Sequence, residues 1–190
     1  MKLAVGSKLP ATRAMLELNR VTTEYIQLED RIRLTGEDQQ GKALCLWLTQ
    51  RLALRIVAYL VDAIATNSPE AVQNPSQDRD ATKLLQGFAQ QAAEADLSPQ
   101  AAVDSSAVTQ SLLIAEVDVT RAEGGAISLV FKSAADEKVA LSFQLQQLRQ
   151  WLAIVHAQWI TAEWSLSIWP EWMGEKAQAV DSTDSSNPVH

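Results

Sequence analysis

The feature that most constrains this chain is an order of elements that occurs twice at one spacing. Residues 23–35 carry Tyr25, Ile26 and Leu28, then Glu29-Asp30, then Arg31-Ile32-Arg33-Leu34-Thr35 with apolar and polar residues alternating. That pattern predicts a strand, a tight turn and a second strand. After a polar loop from Gly36 to Gly41, Leu44, Leu46 and Leu48 fall on one face of a third strand over 42–48. The period then changes. From Thr49, an N-cap residue, Leu52, Ile56, Leu60 and Ile64 recur at helical spacing until Asn67-Ser68-Pro69.

The same order returns downstream: Leu112–Thr120, a turn through Gly124-Gly125, Ala126–Lys132, a polar loop, Lys138–Phe143, and a long helix over Leu145–Trp164. At a constant offset of 95, Ile32 meets Ile127, Leu34 meets Leu129, Leu44 meets Val139, Leu46 meets Leu141 and Leu48 meets Phe143. The expected class is α+β, with two β-β-β-α units arising by internal duplication. Each unit would be an antiparallel meander packed on its own long helix. The six strands would form either one sheet or two sheets around the helices.

The expected organisation is one compact domain with four segments. Residues 1–66 hold the first unit, 67–110 an acidic connector with one helix over Asp80–Glu94, 111–173 the second unit with a tryptophan-rich end, and 174–190 a disordered tail. In the connector helix, Leu84, Leu85, Phe88 and Ala92 form a short apolar stripe. Ala11–Leu18 is an amphipathic scrap with no assigned partner.

Charge excludes some partners. The net charge is −7, which disfavours phosphate backbones and anionic membrane surfaces, so neither nucleic acid nor membrane is an expected partner. Residues 1–66 carry a surplus of two positive charges that places a local basic patch around Arg31, Arg33, Arg51 and Arg55. No cluster of cations with interleaved aromatics accompanies it, so it reads as ordinary surface. Cys45 is the single cysteine, and the chain shows no signal-peptide core and no apolar run of membrane-spanning length. A cytoplasmic location is expected.

Two stretches point to contact with protein. The helix from Thr49 is apolar nearly all round, with polar groups only at Arg51, Arg55 and Asp62 along its central turns. One sheet cannot hide that circumference. Leu54, Ala58 and Val61 must therefore meet the second helix, the connector or another subunit, a homodimer included. Trp164, Trp169 and Trp172 bring a second large apolar area within a segment whose Leu166 and Ile168 alternate with serines as in an extra edge strand. These tryptophans either fold back as a lid on the core or form a patch for a partner.

Chemistry finds little material. His156 is the one internal histidine and reads as a half-buried helix residue. Zinc spacings and glycine-rich phosphate loops are absent from the sequence. Cys45 points away from Leu44, Leu46 and Leu48 and reads as inert filler. Glu116 and Asp118 share a strand face and read as solvated, while Arg31 and Arg33 can pair with acids across the sheet. No catalytic, metal or cofactor-binding residue is assigned. The leading expectation is a non-enzymatic protein-interaction or assembly module, acting on itself or on another protein. The alternative is a small-ligand-binding protein or enzyme with a pocket between the two repeats, which polar residues converging at that seam would favour.

Overall fold

A computed structural model describes residues 15–67, 79–122 and 125–174. Strands arise where apolar residues alternate: β1 (Leu16–Leu18), β2 (Arg20–Ile26), β3 (Arg31–Glu37), β4 (Ala43–Thr49), β5 (Val108–Arg121), β6 (Ile127–Ser133) and β7 (Lys138–Phe143). Helices arise where the period lengthens: α1 (Gln50–Asn67), α2 (Arg79–Ala95) and α3 (Leu145–Thr161). The expected disorder of the tail lies outside the described residues, except at its first residue, Gly174.

All strands join in one mixed sheet of order β1-β7-β6-β5-β4-β3-β2. The runs β2-β3-β4 and β5-β6-β7 are antiparallel, whereas β4 meets β5, and β7 meets β1, in parallel. Parallel neighbours need a long crossover, and the chain supplies one after β4 through α1 and α2. The two ends of the sheet, β1 and β2, are stretches of one segment separated only by Asn19, whose N–H donates to the Glu37 carbonyl at 2.9 Å. The sheet therefore curls until it meets itself. The scrap expected at Ala11–Leu18 thus ends in a strand, and Leu16, Glu17 and Leu18 pair with Val139, Ala140 and Leu141.

The face turned inward holds the core. Ile32, Leu34, Leu44, Leu46, Leu129, Phe131 and Leu141 are buried there with Ile56, Leu60 and Ile64 of α1 and Leu148, Leu152 and Val155 of α3. Past β1, the outer edge of β2 is no longer reached by β7, and α3 packs beside it. Trp151 Nε1 donates to Thr23 Oγ1 at 3.0 Å, and the Tyr25 N–H donates to Gln158 Oε1 at 2.8 Å. The Gln158 side chain thus satisfies a backbone donor of β2 that would otherwise lack a strand partner.

The tightest point of the curl is Gly36, where an added Cβ would lie 2.5 Å from Leu18 Cδ1. Leu18 is itself buried and cannot swing into solvent. Gly36→Ala is expected to destabilise the fold by about 1–3 kcal/mol through overpacking. Pairing it with Leu18→Ala is expected to give less than the sum of the two single effects in urea denaturation.

Candidate functional site

The sequence-predicted surface residues divide between the interior and the exterior. On α1, Val61 is 8 % exposed and belongs to the core, Ala58 is half-buried, and Leu54 stays 39 % exposed beside the wholly polar positions Arg51 and Arg55. The helix is covered on one side by β3, β4 and β5 and touched on another by the turn Leu166–Ile168. Trp164, Trp169 and Trp172 are turned inward and buried. Their segment forms two 3-10 turns, Leu166–Ile168 and Glu171–Met173, in place of the expected edge strand. A strand would send Trp169 to the side opposite Trp164 and Trp172, whereas tight turns let all three face the core. Trp164 Nε1 donates to Asp30 Oδ1 at 3.0 Å, which also accepts from the Tyr25 hydroxyl at 2.9 Å.

The helix in the connector is inverted relative to its apolar stripe. Leu84 and Phe88 are 61 % and 53 % exposed, whereas Gln86 and Gln90 are each 1 % exposed. The cause lies on α3, which presents the buried Arg149 to α2. A guanidinium in the interior needs acceptors, and Arg149 Nη2 donates to Gln86 Oε1. Gln90 Nε2 donates to the Arg149 carbonyl at 3.1 Å, and Gln150 Nε2 donates to the Ala93 carbonyl at 2.9 Å. The Arg149 guanidinium also lies over the Trp172 ring, 5.6 Å from its centroid. With its glutamines turned inward, α2 shows Leu84, Leu85 and Phe88 outside, beside Lys83. Leu84, Gly87, Phe88 and Trp172 line a depression of about 250 Å³ there, and Lys83 and Glu171 form an ion pair at its rim, 3.6 Å apart.

A second concavity lies at the parallel seam between β4 and β5. Pairing along this seam ends at Trp47 and Leu113, because β4 turns into α1 while β5 runs on to Arg121. A cleft of about 550 Å³ opens there, lined by Leu52, Arg55, Ile56 and Tyr59 of α1 and by the consecutive residues 115–120 of β5. Of the residues expected to mark a seam pocket, Glu116 lines this cleft and Arg31, Arg33 and His156 do not. On the outer face, Lys132 lies 2.6 Å from Asp118 and 3.4 Å from Glu116. Its ammonium holds the Asp118 carboxyl below the usual carboxylate range, and the same contact raises the Lys132 pKa.

The remaining titratable candidates are structural. Arg33 pairs with its register partner Glu24 at 2.8 Å, and Arg31 lies 3.7 Å from Glu29. Burial pushes the Cys45 thiol up, away from the thiolate form, and the side chain sits opposite Thr35 in the sheet. Desolvation lowers the His156 pKa, with Glu94 opposing, and the ring stands edge-on to Trp169 at 4.7 Å. Among the described residues no group of three His, Cys, Asp or Glu is placed to hold a metal ion, and no helix is long and apolar enough to cross a membrane.

No family model matches the chain. Neither does any curated protein or solved structure. A functional reading therefore rests on the two surfaces just described, of which the α2 face was half visible in the sequence. Its leucines and Phe88 stand out, but the stripe that buries holds Gln86 and Gln90 together with the small Ala93.

Proposed function

We propose that this chain is a non-enzymatic protein-interaction or assembly module of the cytoplasm that binds another protein or a second copy of itself. The observation that carries the reading is the outward apolar face of α2, where Leu84, Leu85 and Phe88 stand in solvent beside Trp172. Large side chains grouped in this way on a helix, with a charged pair at the rim, have the make-up of an interface centre. Exposed Leu54 and Tyr59 on α1 add apolar area elsewhere on the surface.

We also read the fold as a duplicated β-β-β-α unit. The offset of 95 that aligns Leu44 with Val139 and Leu48 with Phe143 also relates Gln50, where α1 begins, to Leu145, where α3 begins. Each proposed unit joins the other through a parallel seam, β4 with β5 and β7 with β1. The two helices differ in use: α3 reaches β2 through hydrogen bonds of Trp151 and Gln158, whereas no hydrogen bond joins α1 to residues 115–120 of β5 among the described residues.

A photo-crosslinking residue at position 88, introduced into the full chain in its native host, tests the interaction reading. The expected result is a discrete heavier adduct, identified by mass as a second copy or as one other protein, that disappears when Leu84→Glu is added. Leu84 is exposed, so that substitution leaves the fold intact. Absence of any adduct at positions 84, 85 and 88 would overturn the reading.

A further inference from the structure

We infer that the cleft between α1 and β5 is a docking groove for one extended peptide segment of a partner protein, with apolar residues alternating with Lys or Arg. This inference rests on the chain being a protein-binding module, but it does not rest on the α2 face.

Three observations carry it. The first is that the cleft is lined by residues 115–120 without a gap. Successive residues of a strand point to opposite faces, so a cavity that touches every one of them touches the strand's edge. Among the described residues, the stretch Ile114–Arg121 has β6 as its strand neighbour on the opposite edge only, and no hydrogen bond joins α1 to residues 115–120. A strand edge with free N–H and C=O groups is a template for an added strand. At the corresponding edge of β2 the Tyr25 N–H is taken by Gln158 of α3, while a depression of about 410 Å³ remains beside residues 19–23.

The second observation concerns the inner face. Val117 and Val119 are only half-buried, although their register partners Phe131 and Leu129 are wholly buried. The apolar layer thus runs out one strand short, with Leu52 and Ile56 of α1 waiting beyond it. An added strand would complete the layer with apolar side chains at alternate positions.

The third is charge on the outer face. Glu116 and Asp118, whose side chains are 66 % and 45 % exposed, share one cation, Lys132. On this outer face two carboxylates against one ammonium leave negative charge, while Arg55 lines the cleft from α1, and cross-strand partners of opposite sign are favourable. The outward residues of the occupant are therefore basic. The β5 edge of a second copy does not fit, because it lies behind that copy's own α1. A flexible single strand can enter where a strand already built into a sheet cannot.

Selection from a random displayed peptide library on the full chain tests the groove. Enriched peptides are expected to alternate apolar and basic residues, to shift backbone amides of residues 115–120 in NMR spectra, and to lose binding when alternate peptide nitrogens are methylated. Tyr59→Glu, at an exposed wall position, is expected to weaken these peptides about tenfold, and Glu116→Lys to shift the selected outward residues from basic to acidic. Phe88→Glu is expected to leave them unaffected. Failure to enrich any sequence, enrichment of peptides that bind as helices, or binding indifferent to N-methylation would each overturn the groove. Peptides lost on Phe88→Glu but kept on Tyr59→Glu would overturn the groove while supporting the α2 surface. Loss of the crosslinks at positions 84–88 with retained groove binding would overturn the α2 surface alone.

Discussion

Truncation of Trp159 to alanine is expected to cost about 3–5 kcal/mol, a large share of the ~5–15 kcal/mol by which domains are usually stable. Trp159 is fully buried on α3 and sits at the centre of the aromatic cluster. The rings of Trp164 and Trp169 stand edge-on to it at 4.9 Å and 5.7 Å, and its Nε1 donates to the Ser165 carbonyl at 3.0 Å. Removing the indole leaves a cavity beneath both tryptophans and frees the segment that covers the core. Trp159→Phe retains a ring and is expected to lose much less. Guanidinium denaturation followed by near-ultraviolet circular dichroism reads both, and a loss below about 1 kcal/mol for the alanine variant would show that the cluster is not the keystone of this end of the molecule.

Arg149→Ala is expected to destabilise by about 2–4 kcal/mol, with the loss concentrated in the docking of α2. The substitution takes a donor from buried Gln86, removes the cation from the Trp172 ring and empties the space of the aliphatic stem. Arg149→Lys keeps charge without the planar fork and is expected to recover only part of the loss. Replacing both partners, Gln86→Leu with Arg149→Met, removes the polar requirement along with the polar groups and is expected to be milder than Arg149→Ala. Hydrogen exchange localises the effect. Amides of Arg79–Ala95 should lose protection while those of β3 and β6 keep theirs, and a uniform loss across the chain would contradict a local role.

What could be read from the sequence follows from how far apart the interacting residues are. The strand with Leu44, Leu46 and Leu48 and the helix after Thr49 were legible because period two and period 3.6 are local properties of neighbouring residues. By contrast, β1 is three residues long and exists because Val139–Leu141 lies beside it, more than a hundred residues later. The orientation of α2 was hidden for the same reason, since Gln86 turns inward to meet Arg149 on a different helix. At residues 164–173 the alternation of Leu166 and Ile168 with serines suggested a strand, but the need to bury three tryptophans on one side prevailed. Among the interaction candidates, Leu54 and Ala58 retain surface while Val61 does not, a distinction of one helical turn that depends on which way the helix rolls against the sheet. The cleft beside β5 had no local signature because it results from two strands of unequal length meeting at a seam.

The stitching of Leu16–Leu18 to β7 has a kinetic corollary. During synthesis, the first strand emerges long before its parallel neighbour, so the ring of strands cannot shut until residues 139–141 have left the ribosome. Until then Leu18 lacks its register partner Leu141, and the Tyr25 N–H on the rim of β2 lacks Gln158. Such high contact order implies slow folding, with the growing polypeptide exposed to aggregation and to chaperone capture for most of its translation.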